Sequence, residues 1–262
     1  MIYIALQKTM NMKKITLIFL FFATACFIGG SAQAQTLKDI FNDLRGSHNT
    51  TTNTHTNNGT NLTSSEITSG LKEALKVGAQ NATKQLSAQD GFFKNAAIKI
   101  LLPKEASQVE QTLRSIGMGS LVDQAVLSMN RAAEDASKKA APIFINAISG
   151  ITINDGLAIL QGGNDAATQY LRSRTTTQLT NAFRPVIQNS LDKVGAEKIW
   201  NTVFTTYNKL PLIREKVNPD LVSYVTEKAL DGLFKTIAQQ ELKIRTDPAA
   251  QVTSILRKVF GR

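Results

Sequence analysis

TSSEITSGLKEALKVGAQNATKQL, residues 63–86, decides the fold class. Thr63 and Glu66 stand three apart, the capping-box spacing at which a hydroxyl and a carboxylate each bond the other's backbone N–H. Leu62 and Ile67 occupy the positions of a hydrophobic staple across that start. Beyond it Ile67, Leu71, Leu75, Gly78 or Ala79, Ala82 and Leu86 recur every three or four residues, the stripe of an amphipathic helix.

The same grammar continues toward the C-terminus. Gly91-Phe92-Phe93 breaks the first helix, and Ala96 to Leu102 reads equally as a strand or a buried helical turn. Pro103 suits a first helical position, with Val109, Leu113 and Ile116 as the next stripe and Gly117 and Gly119 as its end. Ser120 is expected to cap a long helix whose stripe is Val122, Ala125, Met129, Ala133 and Ala136, and Pro142 to kink or split it. Asn154 or Asp155 starts a short helix with Leu157 and Leu160, stopped by Gly162-Gly163, and Asn164 or Asp165 caps another. Leu179, Phe183, Val186 or Ile187, Ser190 or Leu191 and Val194 form its stripe, with Pro185 as a second kink. Arg172 either lies on that stripe and needs an acidic partner or, the favoured reading, is turned outward by a bend at Thr175-Thr176-Thr177.

Three further stripes follow. Ile199, Val203, Tyr207 and Leu210 end at Pro211; Asn218-Pro219 starts Leu221, Val225, Ala229, Leu233 and Ile237; Asp247-Pro248 starts Val252, Leu256 and Val259. No fixed-period repeat, G-x-G-x-x-G, P-loop or alternating strand ladder interrupts them. The expectation is a single all-α domain over residues 62–262, an irregular or orthogonal multi-helix bundle large enough to bury about 70% of its unfolded surface.

The N-terminal part has a different character. Met12-Lys13-Lys14, an uncharged run from Ile15 to Gly30 and Ala32-Gln33-Ala34 make residues 1–34 a secretory signal peptide. The run is shorter than the ~20 residues of a membrane span. Ala23-Thr24-Ala25-Cys26 is a looser match to a lipoprotein signal, so a soluble periplasmic chain is the preferred reading and acylation at Cys26 the alternative. Residues 35–61 hold a short amphipathic segment (Leu37, Ile40, Phe41, Leu44) and an Asn/Thr-rich stretch whose composition predicts a tether. His48 and His55 fall in that tether without Cys, Asp or Glu at ligand spacing, which favours solvated histidines over a metal site.

From Leu62 onward the chain has neither His nor Cys. That excludes Ser-His-Asp and Cys-His nucleophilic sites and the usual zinc shells from the domain, and no cofactor is implied. Carboxylate pairs, lysine or tyrosine acid-base chemistry and oxygen-only metal sites are what remains. Glu134-Asp135 with Lys138 and Lys139 reads as a solvated charged face, and Asn154-Asp155 and Asn164-Asp165 as helix caps. Asn130, Arg131, Glu134, Asp165, Gln169, Tyr170 and Arg172 are the candidate polar binding cluster. The formal charge is +10 overall and +7 once residues 1–34 are removed. The bases are scattered without interleaved aromatics, which favours anionic envelope surfaces over nucleic acid as partners.

Four blocks carry a resemblance: Leu71 to Ala79 (LKEALKVGA), Leu127 to Glu134 (LSMNRAAE), Gly162 to Tyr170 (GGNDAATQY) and Lys228 to Phe234 (KALDGLF). In order over about residues 66 to 261, they resemble a bacterial exported family, domain of unknown function 4197. The resemblance implies an exported, mainly helical protein and brings no reaction, cofactor or catalytic residue. The functional expectation is a non-catalytic envelope protein that holds an apolar or anionic ligand, or a partner protein, in a helical cleft. A carboxylate-dependent hydrolase or lyase and a structural assembly module are the alternatives.

Overall fold

The computed structural model describes residues 63–209, 216–217, 220–247, 250–251 and 257. The expected export signal, tether, Cys26, His48, His55 and Leu62 lie outside these, as do Leu210, Pro211, Asn218, Pro219, Pro248, Val252, Leu256 and Val259.

At Thr63 the capping box forms: its hydroxyl accepts from Glu66 N–H at 3.2 Å, and the Glu66 carboxylate accepts from Thr63 N–H at 2.8 Å. Helix α1 (Ser64–Ser87) follows, and its inward row is the expected Ile67, Leu71, Leu75, Ala79, Ala82 and Leu86. After a non-helical stretch and a 3₁₀ turn (Lys104–Ala106) come α2 (Ser107–Ser115), α3 (Gly119–Ser137), α4 (Ala140–Ser149) and α5 (Ile153–Gln161). These lead to α6 (Ala166–Asp192), α7 (Ala196–Tyr207) and α8 (Leu221–Thr246). Among the described residues there are eight α-helices and no strand, an all-α fold. Ala96 to Leu102 is neither a strand nor a helical turn but a turn followed by an unpaired run.

The two longest late helices, α6 and α8, pack on each other; α3 lies against both, and α1 packs on α8, α4 and α5. Phe92, Phe144, Phe183 and Phe234 are fully buried where these elements meet. Phe144 and Phe234 meet edge to face at 5.9 Å, a geometry that adds about 0.5–1.5 kcal/mol to the area they bury. A Cβ at Gly232 would lie 2.6 Å from the Phe92 ring, so α8 approaches that ring only because position 232 has no side chain.

Several boundaries differ from the sequence expectation, each for a local reason. Pro103 sits one place before the 3₁₀ turn instead of at its first position. Met118, not Ser120, precedes α3. The break before α4 falls at Lys138-Lys139, leaving Pro142 in the first turn of α4, where a missing N–H costs no helical bond. Thr152, not Asn154 or Asp155, caps α5: its hydroxyl accepts from Asp155 N–H, and Asp155 accepts from Thr152 N–H at 3.0 Å. Asp220 caps α8 by accepting from Ser223 N–H at 2.9 Å. Asp247 ends α8.

Helix α6 runs unbroken through Thr175-Thr176-Thr177 with Pro185 inside it. Its buried row is Leu171, Thr175, Leu179, Phe183, Ile187 and Leu191, so Arg172 points outward simply by standing one residue off the row. The Thr175 hydroxyl donates to Leu171 O at 2.7 Å, which satisfies it inside the core. The N-terminus of α6 is capped from outside its own sequence. The buried Glu241 of α8 accepts from Ala167 N–H at 3.0 Å and from Thr168 N–H and hydroxyl at 2.8 Å. Arg245 pairs with the same carboxylate at 2.8 Å and donates to Ile159 O at 3.0 Å, tying α8, α6 and α5 together.

No single described helix is long and apolar enough to cross a membrane. Helices α4 and α5 reach that length and composition only as a pair bent by 107°.

Candidate functional site

The non-helical run at residues 97–103 and the 3₁₀ turn after it form a wall with a cleft on either side, and α3 holds that wall in place. The fully buried Asn130 accepts from Ile100 N–H at 2.9 Å through its amide oxygen. Its amide nitrogen donates to Ile100 O at 2.8 Å and Val126 O at 2.7 Å. One turn further along, Glu134, 4% exposed, accepts from the N–H groups of Phe92 at 3.0 Å and Phe93 at 3.1 Å. Arg131 bridges the second Glu134 oxygen and Asp90, each at 2.6 Å. Asp90 takes a left-handed backbone conformation (φ 69°), which Asp tolerates better than most residues. Lys94 and Arg131 hold its carboxyl below the usual Asp range. The Glu134 carboxylate is therefore committed to the turn at residues 90–93 that precedes the wall, and is not part of a solvated charged face. Asp135 alone of the two acids pairs with a lysine at the surface, Lys138 at 2.6 Å, three residues away and not four.

On one side of the wall lies a polar cleft of about 790 Å³, closed by one face of α8. Five lysines and three acids line it. Tyr224 donates to Leu101 O at 2.8 Å and Lys235 to Ala97 O at 3.0 Å, stitching α8 to the wall. Burial, helped by Glu105 and Glu227, pushes the Tyr224 phenol up to about 12. Within the lining, Lys228 sits 3.6 Å from Glu227, and Asp231 sits 3.6 Å from Arg172 outside it. Lys99 stands over the Phe93 ring at 4.2 Å. Lys104 and Lys216 are exposed and in no ion pair among the described residues.

On the other side is an apolar groove of about 570 Å³ between α2, the first half of α3 and α7. Of its lining residues only Gln124 and Ser128 are polar. Met118, Leu121, Leu127, Val194, Ile199 and Val203 are among the molecule's exposed large apolar side chains, and all six line this groove. Trp200, Phe204, Val122, Met129 and Leu221 form its buried floor. Leu102 lines the cleft and the groove alike.

Two stripes expected to be core account for the groove. Helix α2 has no buried residue at all, so Val109 and Leu113 face the groove and Ile116 is 63% exposed. In α7 the core row is Trp200 and Phe204, while Ile199 (62% exposed) and Val203 face outward. Lys104, Lys216, Tyr224 and the groove face of α7 were not among the sequence candidates. The available signal was the doubled apolar row Ile199-Trp200 and Val203-Phe204, wider than burial on one side requires.

The seven candidate residues do not share one concave surface. None of them lines the cleft or the groove. Asn130 holds the wall from behind, and Arg131 and Glu134 hold the turn at residues 90–93 that precedes it. Asp165 and Gln169 are exposed and bond each other at 2.9 Å. Arg172 stacks on Phe234 at 4.5 Å. Tyr170 alone lines a hollow, a shallow one of about 280 Å³ shared with Asp155 and Arg174. Burial and then Asp155 push its phenol up, while the Thr152 N–H and hydroxyl hold Asp155 below the usual range. Among the described residues no three His, Cys, Asp or Glu side chains stand close enough to hold a metal.

A family model described as "Protein of unknown function (DUF4197)" matches residues 61–261. No curated protein and no solved structure matches the chain.

Proposed function

The chain belongs to the DUF4197 family, whose description carries no activity, and from its own geometry we propose that it is an exported, non-catalytic binding protein that takes an alkyl chain of an envelope lipid into the α2–α3–α7 groove. The carrying observation is the groove itself: six large apolar side chains left in water around a buried floor that includes an indole. Exposed apolar surface gathered in one concavity marks a binding site, and the volume lies within the ~300–1,000 Å³ of ordinary ligand pockets. Gln124 and Ser128 give it almost no capacity to bond a peptide backbone or a sugar, which favours a hydrocarbon. Residues 1–34 support the envelope setting, since they read as an export signal.

Trp200, the only tryptophan in the chain, sits in the groove floor and reports its occupancy. Titrating the mature protein with dibromostearate is expected to quench Trp200 emission saturably, and Ile199→Asp with Val203→Asp to abolish the quenching while the circular dichroism spectrum is kept. Absence of saturable quenching would overturn the reading. So would a dimer dissociated by Ile199→Asp, which would give the groove to a second copy, or quenching that appears only in Phe41→Asp, which would give it to the chain's own Leu37–Leu44 segment.

A further inference from the structure

Resting on the alkyl-chain reading of the groove, we propose that the ligand is a single-chain anionic lipid bent around Leu102, its tail in the groove and its carboxylate or phosphate head in the polar cleft against Lys104 and Lys216. An alkyl chain in the groove must carry its polar end out of it, because the lining offers that end only Gln124 and Ser128. Leu102 is the shared edge, so the cleft is the polar space that the tail's end reaches first. That cleft carries more positive than negative side chains. Most of them are committed: Lys235 to Ala97 O, Lys99 to the Phe93 ring, Lys228 to Glu227, and Asp231 to Arg172. Lys104 and Lys216 are left against one acid, Glu105, none of the three being in an ion pair among the described residues. Two ammonium groups beside a hydrocarbon groove select a negative head, since a neutral one gains nothing from them and a cationic one is repelled.

The mature protein is titrated, below micelle-forming concentrations, with three probes that carry the same dibrominated chain: stearate, its uncharged methyl ester and the lysophosphatidate. Trp200 quenching is the readout. Wild type is expected to bind the two anionic probes about tenfold more tightly than the ester, as two exposed charge contacts allow. Lys104→Gln with Lys216→Gln is expected to remove that preference and leave the ester's affinity unchanged, and the preference should shrink as salt rises. Whichever anion binds more tightly names the head as carboxylate or phosphate. Equal binding of all three probes, unaffected by the double substitution, overturns the head-group assignment and leaves the groove reading standing. No quenching by any probe removes both.

Discussion

Asn130 and Ile100 are joined twice, the Asn130 amide oxygen accepting from Ile100 N–H and its nitrogen donating to Ile100 O, so that one side chain imitates a partner strand for the cleft wall. The wall has no strand beside it, and this pair supplies its backbone bonds in the buried interior. Asn130→Ala leaves an N–H and a C=O of Ile100 without partners, at about 1–3 kcal/mol each, so a loss of about 2–4 kcal/mol is expected in urea unfolding. Asn130→Asp should cost at least as much, because it turns a carboxylate oxygen toward Ile100 O and Val126 O. A loss under about 0.5 kcal/mol for either variant would show that the wall is held by other contacts.

Glu241 and Arg245 make the second long-range tie, and their burial sets its size. Arg245→Met leaves the Glu241 carboxylate with its N–H and hydroxyl donors but without its cation, and a loss of about 3–5 kcal/mol is expected. Replacing both with apolar residues would still leave the Ala167 and Thr168 N–H groups uncapped, unlike a simple ion pair whose double replacement is often neutral. Hydrogen exchange at Ala167 and Thr168 should therefore rise in the double variant even if the midpoint of unfolding recovers. Unchanged protection there would contradict the capping role.

The phenol of Tyr224, raised to about 12 in the folded chain, titrates near 10 when unfolded. Between those values the unfolded chain gives up a proton that the folded chain keeps, so the contribution is complete below pH ~10 and is lost as pH rises toward 12. Tyr224 is only half-buried, which reduces the effect to roughly 1 kcal/mol. Wild type should lose that much more stability than Tyr224→Phe between pH 9 and pH 12 in guanidinium titrations. Parallel curves would mean that the phenol is solvated in the folded state.

Helix positions were legible because local chemistry writes them. Thr63 with Glu66, and the apolar rows of α1 and α8, are readable from residues within one or two turns. What sequence spacing does not contain is the partner of a side chain far along the chain. Spacing alone puts Glu134 on a solvated face because its i,i+4 neighbour is Lys138, yet it bonds Phe92 and Phe93 about forty residues earlier. Glu241 caps a helix more than seventy residues away, and no local pattern predicts that. The candidate site failed for a related reason. Polar residues in a helical protein draw attention as chemistry, whereas here one of the seven holds the wall, two hold the turn before it, and the cavities are lined largely by apolar and lysine side chains that periodicity assigns to core and surface.

Helix α7 puts this distinction to a direct test, because its two apolar rows stand one residue apart and have opposite surroundings. Phe204 is buried in the floor, and Phe204→Ala should cost about 3–5 kcal/mol by opening a cavity. Ile199, at 62% exposed, loses little packing when replaced, so Ile199→Ser should fall within about 0.5 kcal/mol of wild type. If Ile199 belonged to a core stripe, as its spacing with Val203 and Leu210 suggests, the serine would leave a cavity and an unpaired hydroxyl and lower stability by several kcal/mol. The groove reading requires the reverse: a near-neutral effect on unfolding together with weaker uptake of an alkyl probe. Affinity lost without stability lost places Ile199 on a surface kept apolar for a ligand, and stability lost at Ile199 would return that row to the core.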